Sequence, residues 1–151
     1  AEAKKLNNDS SLVFTLHGDG ELQEGQVWEA AMYASAKKID NLISAIDVNE
    51  KQIDGTTDDV LAMGSLRAKF EAFGWDVLDV ENGNDLDAID QAITLAKEKT
   101  GKGKPICLLL HTEMGNGIDF MMGTHKWHGV APNDAQLVSA LAQNEETLGD
   151  Y

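Results

Sequence analysis

Two residues in this chain have the chemistry and the spacing to hold a hard divalent cation. Asp19 sits between Gly18 and Gly20, just past His17 at the end of the apolar run Leu12-Val13-Phe14-Thr15-Leu16. Asn49 follows a second apolar run, Leu42-Ile43-Ser44-Ala45-Ile46. A carboxylate and an amide oxygen suit Mg²⁺ or Ca²⁺ rather than zinc. Two protein ligands do not fill an octahedron, and Mg²⁺ usually completes its shell with phosphate, water or backbone carbonyls. Gly18 and Gly20 let the backbone approach a phosphate closely, and the helix that follows offers its first N–H groups. The residues therefore describe a Mg²⁺–diphosphate site.

The elements that must position them form one βαβ unit. Short apolar runs bounded by turn signals read as buried strands of a parallel sheet. Between the two runs, Val27, Ala30, Ala31, Ala34 and Ile39 recur at helical spacing. A right-handed crossover makes the strands parallel, so their carboxyl ends share one sheet edge. Neighbouring strands lie roughly 5 Å apart, and open α/β sheets bind ligands outside that edge. Asp19 and Asn49 are expected to converge there.

Further along, Glu50 to Gly55 reads as a turn and Thr56 to Asp59 as a polar loop. Gly64-Ser65 opens a helix carrying Leu66, Phe70 and Phe73, stopped by Gly74. Asp76 to Val80 is a short strand. Asn84 or Asp85 caps a helix carrying Leu86, Ile89, Ala92, Ile93 and Ala96. Ile106-Cys107-Leu108-Leu109-Leu110 is a third buried strand. The segment His111 to Pro132 has little periodicity, and loops of such length usually carry function or are disordered. Asn133 and Gln136 form a capping box, with Leu137, Leu141 and Leu148 following at helical spacing. The fold class is α/β, a mostly parallel sheet flanked by helices. Ala1 to Leu6 reads as the last turns of a helix.

Composition narrows the partners. The 151 residues suffice for one domain with a sizeable core, and 42% are hydrophobic. A net charge of −14 argues against nucleic acid and anionic membranes as partners. The lone Cys107 excludes an intramolecular disulfide and fits a reducing compartment, so a cytoplasmic location is expected. No apolar run is long enough for a membrane span.

The full stretch G-D-G-E-L-Q-E-G-Q-V-W-E-A-A, with the Asn of D-x-N thirty positions after its Asp, resembles the thiamine diphosphate signature of transketolases. His125 to Pro132 resembles the family's H-x-x-H-G-x-x-P. The resemblance covers essentially the whole chain. It implies a single thiamine diphosphate-binding domain over residues 1–151, lacking its N-terminal part. It implies transfer of a two-carbon ketol unit from a ketose phosphate to an aldose phosphate, as in the pentose phosphate pathway. It places Gly18, Asp19, Gly20, Glu21, Asn49 and His128 at the cofactor. Asp19, Asn49 and the backbone carbonyl of Lys51 would hold Mg²⁺. His128 would reach both diphosphate and substrate, and Glu24 would lie at a dimer interface linking two active sites. The acid that activates the aminopyrimidine comes, in the family, from another domain on the opposite subunit. The isolated chain is therefore expected to be inactive and to need a homodimer partner or a second transketolase subunit. Deoxyxylulose-phosphate synthase shares the G-D-G…N device but not usually E-L-Q-E-G, and a folded fragment without catalysis is the other alternative. For other candidates the plain reading stands beside the functional one. His17 is a strand-end residue or a contact to the cofactor edge. Lys126 is an exposed loop lysine or a phosphate contact. His111, His125 and His128 lack the further soft ligands that zinc needs.

Overall fold

The computed structural model describes residues 1–144, and Leu148, which the helical spacing placed on the last helix, lies outside them. Four parallel strands form the sheet: β1 (Val13–Gly18), β2 (Leu42–Val48), β5 (Asp76–Val80) and β6 (Ile106–His111). Their order is β1-β2-β6-β5. A two-stranded hairpin, β3 (Lys51–Gln52) with β4 (Gly55–Thr56), follows the carboxyl end of β2. The helices are α1 (Glu2–Leu6), α2 (Gly25–Ala36), α3 (Thr57–Leu61), α4 (Leu66–Ala72), α5 (Leu86–Lys99) and α6 (Asp134–Gln143). A short 3₁₀ helix, Gly20–Gln23, separates β1 from α2.

Parallel strands covered on both faces alternate their side chains between two cores, and β6 shows this directly. Cys107 and Leu109 point into one core with Leu22, Ala31, Ala34, Ile46, Phe70 and Trp75 from the α2 and α4 side. Ile106 and Leu108 point the other way, against Ile43 and Ala96 of α5. The first core is keyed by aromatics. Phe70 lies 5.3 Å from Trp28 and 5.4 Å from Trp75 between ring centroids, and the buried Trp75 indole donates to the Ala31 carbonyl at 2.9 Å. That bond satisfies the one polar atom the ring would otherwise bury unpaired.

Local signals set most element ends. Ser65 caps α4, Asp85 caps α5, and Asn133 with Gln136 forms the capping box of α6. Gly74 follows α4 with φ +90°, where a Cβ would also lie 2.6 Å from Ser35 Oγ. One expectation is corrected. The segment from Thr56 to Asp59, read as a polar loop, opens α3. Thr56 Oγ1 accepts the Asp59 N–H at 3.1 Å, and Asp58 and Asp59 occupy the first turn. A side-chain cap and acids at the positive helix end outweigh the low apolar content of so short a segment. Ile39 is buried as its spacing suggested, but past the end of α2.

Because Phe70 is 2% exposed and joins α4 to both tryptophans, Phe70→Ala should cost about 3–5 kcal/mol of folding stability. Chemical denaturation of the purified protein measures it.

Candidate functional site

The register of β1 on β2 brings the two candidate ligands together. Gly18 pairs with Asp47, and the Asp19 N–H extends the ladder by donating to the Asp47 carbonyl at 3.0 Å. Asp19 therefore stands opposite the turn that begins at Asn49. Its side chain is 2% exposed. Oδ1 accepts the Gly20 N–H at 2.7 Å, and Oδ2 accepts the Glu50 N–H at 2.5 Å. The carboxylate thus bridges the tips of both strands. Glu50 reaches that position with φ +60°, an uncommon conformation for a residue with a side chain.

The electrostatics at Asp19 are unbalanced. Burial raises its pKa, and the nearby carboxylates of Asp47 and Glu50 raise it further, against the two backbone N–H bonds. Among the described residues no lysine, arginine or histidine bonds to it. A buried carboxylate without a cation is costly, and a divalent ion would remove that cost. The lone pairs are available, since each carboxylate oxygen has one protein donor and can accept more.

Asn49 is oriented by its neighbours. Its Nδ2 donates to Asp47 Oδ2 at 3.0 Å, while its Oδ1 accepts the Lys51 N–H at 2.9 Å. A carboxylate only accepts and an N–H only donates, so these contacts fix which end of the amide is oxygen. That oxygen keeps a second lone pair for a ligand. Asp47 is held in turn by the Thr112 hydroxyl at the end of β6. Neither Asp47 nor Thr112 stood out as a site residue. The D-x-N pattern carried the signal for Asp47; Thr112 has none, since its role arises from β6 lying beside β2.

Two clefts flank this edge. One, about 670 Å³, is lined by Asp19, Glu50 and Thr57 on one side and by Arg67, Asp79 and His111 on the other. Arg67 and His111 both bond to Asp79, and they hold its carboxyl below the ordinary range despite its partial burial. The other, about 390 Å³, is lined by Asn49, Lys51, Asn84, Thr112 and Glu113. Lys51 Nζ lies 3.8 Å from Glu113 and 3.5 Å from the Asn49 carbonyl.

The remaining candidates lie around this centre. Glu21 is exposed on the 3₁₀ turn, where His17 bonds to it at 2.9 Å and holds its carboxyl low. This contact gives His17 a partner within the chain. Glu24 is exposed at the N-cap of α2 and makes no side-chain capping bond. His128 is exposed on the loop after β6, with its N–H donating to the His125 carbonyl at 2.9 Å, and it lines neither cleft. The structure thus gathers Gly18, Asp19, Gly20, Asn49 and Lys51 at one sheet edge, and leaves Glu24 and His128 facing solvent.

A parallel α/β sheet with a buried acid at the tip of one strand and an oriented amide at the tip of the next defines the class. The particular family follows from comparison with known proteins. Residues 3–147 match the family model described as transketolase, thiamine diphosphate binding domain, and the chain belongs to that family. It is 38% identical over 148 residues to one subunit of the apulose-4-phosphate transketolase of Phocaeicola vulgatus, covering 98% of this chain and 52% of that one. It is 36% identical to a 6-deoxy-6-sulfo-D-fructose transketolase subunit of a Clostridium species, covering 97% and 52%. The crystal structure of transketolase from Campylobacter jejuni superposes with a TM-score of 0.81 at 32% identity, over 94% of this chain and 22% of that one. The chain thus spans about half the length of the two curated relatives. No helix among the described residues is long and apolar enough to cross a membrane.

The raised pKa of Asp19 has a definite sign. Between the unfolded and the raised native value the native state binds the extra proton, so metal-free stability falls as pH rises through that window. Asp19→Asn should remove this component. Thermal melts of both proteins across the acidic range, read as a difference, measure it.

Proposed function

We propose that this chain is the cofactor-holding part of a transketolase that moves a two-carbon ketol unit between sugar phosphates. The observation that supports it most is the buried Asp19 carboxylate, bonded across two strand tips, with no lysine, arginine or histidine bonded to it among the described residues. In this reading Asp19, the free lone pair of Asn49 Oδ1 and the Lys51 carbonyl would hold Mg²⁺ beside the cofactor diphosphate. The donor set is all hard oxygen, as Mg²⁺ requires. Bound thiamine diphosphate would supply the nucleophilic carbon and the electron sink for carbon–carbon bond cleavage.

The chain's own residues bind and orient. Gly18 and Gly20 keep the backbone open to the diphosphate, and Asp47 keeps the Asn49 oxygen turned away from itself. Glu21 belongs to the same turn. His128 serves as the polar contact to diphosphate and substrate once its loop is packed against neighbouring protein. Glu24, exposed at the start of α2, meets a partner subunit and links two sites. The curated relatives named as subunits point to assembly with a second polypeptide, which would bring the acid for the aminopyrimidine. Apulose 4-phosphate and 6-deoxy-6-sulfo-D-fructose, named for those relatives, bracket the substrate class as ketoses with an anionic terminus.

The expected outcome in the intact protein is that Asp19→Ala abolishes Mg²⁺-dependent binding of thiamine diphosphate. Asn49→Ala should weaken it less, because a neutral amide attracts a dication less than a carboxylate. Calorimetric titration with and without Mg²⁺ measures both. Unchanged affinity in Asp19→Ala would overturn the reading.

A further inference from the structure

Gln23, the last residue of the 3₁₀ turn, makes more side-chain bonds than a turn glutamine needs. Its Nε2 donates to the Thr57 carbonyl at 3.1 Å and to the Leu61 carbonyl at 3.0 Å, at the two ends of α3. Its Oε1 accepts from Gln52 Nε2 at 3.2 Å. Both amide ends are therefore used, and only an amide supplies two donors and an acceptor in this arrangement.

These bonds close a ring through the acidic ligand. The Asp19 carboxylate accepts from Glu50 N–H. The Glu50 carbonyl accepts from Thr57 N–H at 3.0 Å. The Thr57 carbonyl accepts from Gln23, and the 3₁₀ turn returns the chain to Asp19. Thr57 is 6% exposed and Asp19 2% exposed, so two members of the ring are buried. A branch runs from Gln23 to Gln52, the residue after Lys51. The same Gln52 fills the space over Gly20, where a Cβ would lie 3.3 Å from Gln52 Cβ.

We propose that Gln23 is a positioning residue for the cation site, setting the distance between the Asp19 carboxylate and the Lys51 peptide by tying both to α3. The inference rests on the metal reading given above. Gln23 touches neither metal nor cofactor; it acts through Thr57 and Gln52, which connect it to Glu50 and Lys51 and so to the ligands. Outer partners of metal ligands typically change metal affinity about 10- to 100-fold when removed.

The two cations separate positioning from bulk stability. Mg²⁺ demands near-ideal octahedral geometry at about 2.0–2.1 Å, whereas Ca²⁺ accepts flexible geometry at about 2.3–2.6 Å. Gln23→Glu sets a carboxylate against two carbonyl oxygens and opens the ring. The test titrates thiamine diphosphate into the intact protein with Mg²⁺ or with Ca²⁺, for wild type, Gln23→Glu, Gln52→Ala and Asp19→Ala. The expected result is a loss with Mg²⁺ in Gln23→Glu of about 10-fold, the low end for residues bonded directly to a ligand, a clearly smaller loss with Ca²⁺, and a weaker shift of the same sign in Gln52→Ala. Equal losses with both cations, or none, while Asp19→Ala abolishes binding, would overturn the role of Gln23 alone. Retained binding in Asp19→Ala would instead overturn the metal reading on which it rests. If Gln23→Glu does not fold, Gln52→Ala decides by the same ratio.

Discussion

The structure at the ligand edge depends on one buried carboxylate. Asp19 is withdrawn from water, flanked by two other acids, and bonded, among the described residues, only to backbone N–H groups. Two such bonds stabilise the charge but leave it uncompensated, because N–H dipoles are weaker than a full positive charge at the same distance. Everything nearby serves to keep that charge in one place. The β1–β2 register brings it to the Asn49 turn. Glu50 adopts φ +60°, and its N–H reaches that carboxylate; Asp47 accepts from Asn49 Nδ2, which turns the amide oxygen the other way.

The fold explains why the acid can be held so firmly. β2 and β6 are the two central strands of the sheet and belong to both hydrophobic cores, so their carboxyl ends have little freedom. The Asp47–Thr112 bond joins those ends across the sheet. The hairpin of β3 and β4 then turns back toward the 3₁₀ turn after Asp19, and α3 is tied to that turn through Gln23. Rigid central strands, with the turn after β2 tied to β1 and to α3, give a geometry that a cation with strict requirements can use.

Much of this was legible in the sequence, because it rests on local patterns. Apolar runs located three strands of the sheet and a short alternating pattern the fourth, Asp76 to Val80, and the glycines with Asp19 marked the turn at the tip of β1. Ser65, Asn133 and the pair Asn84-Asp85 marked helix starts, and of that pair Asp85 is the cap. What escaped the reading was of two kinds. The helix from Thr57 to Leu61 is too short and polar to show a period, although Thr56 and Asp59 carried its cap. Thr112, Gln23 and Gln52 take their roles from contacts between segments distant in the chain, such as the bond between residues 23 and 61, which no spacing announces. Asp47 lies between these cases: D-x-N was visible, but the reason for its Asp appears only once the Asn49 amide is seen held at both ends.

The central claim is that Asp19, Asn49 and the Lys51 carbonyl form one cation cage. The most direct measurement is the anomalous scattering of Mn²⁺, a hard cation of similar chemistry, in crystals of the intact protein grown with thiamine diphosphate. The account predicts a single strong peak in direct contact with Asp19 Oδ, Asn49 Oδ1 and the Lys51 carbonyl oxygen. A cofactor bound in full occupancy with the manganese peak elsewhere, or with Asp19 still bonded only to backbone N–H groups, would contradict it.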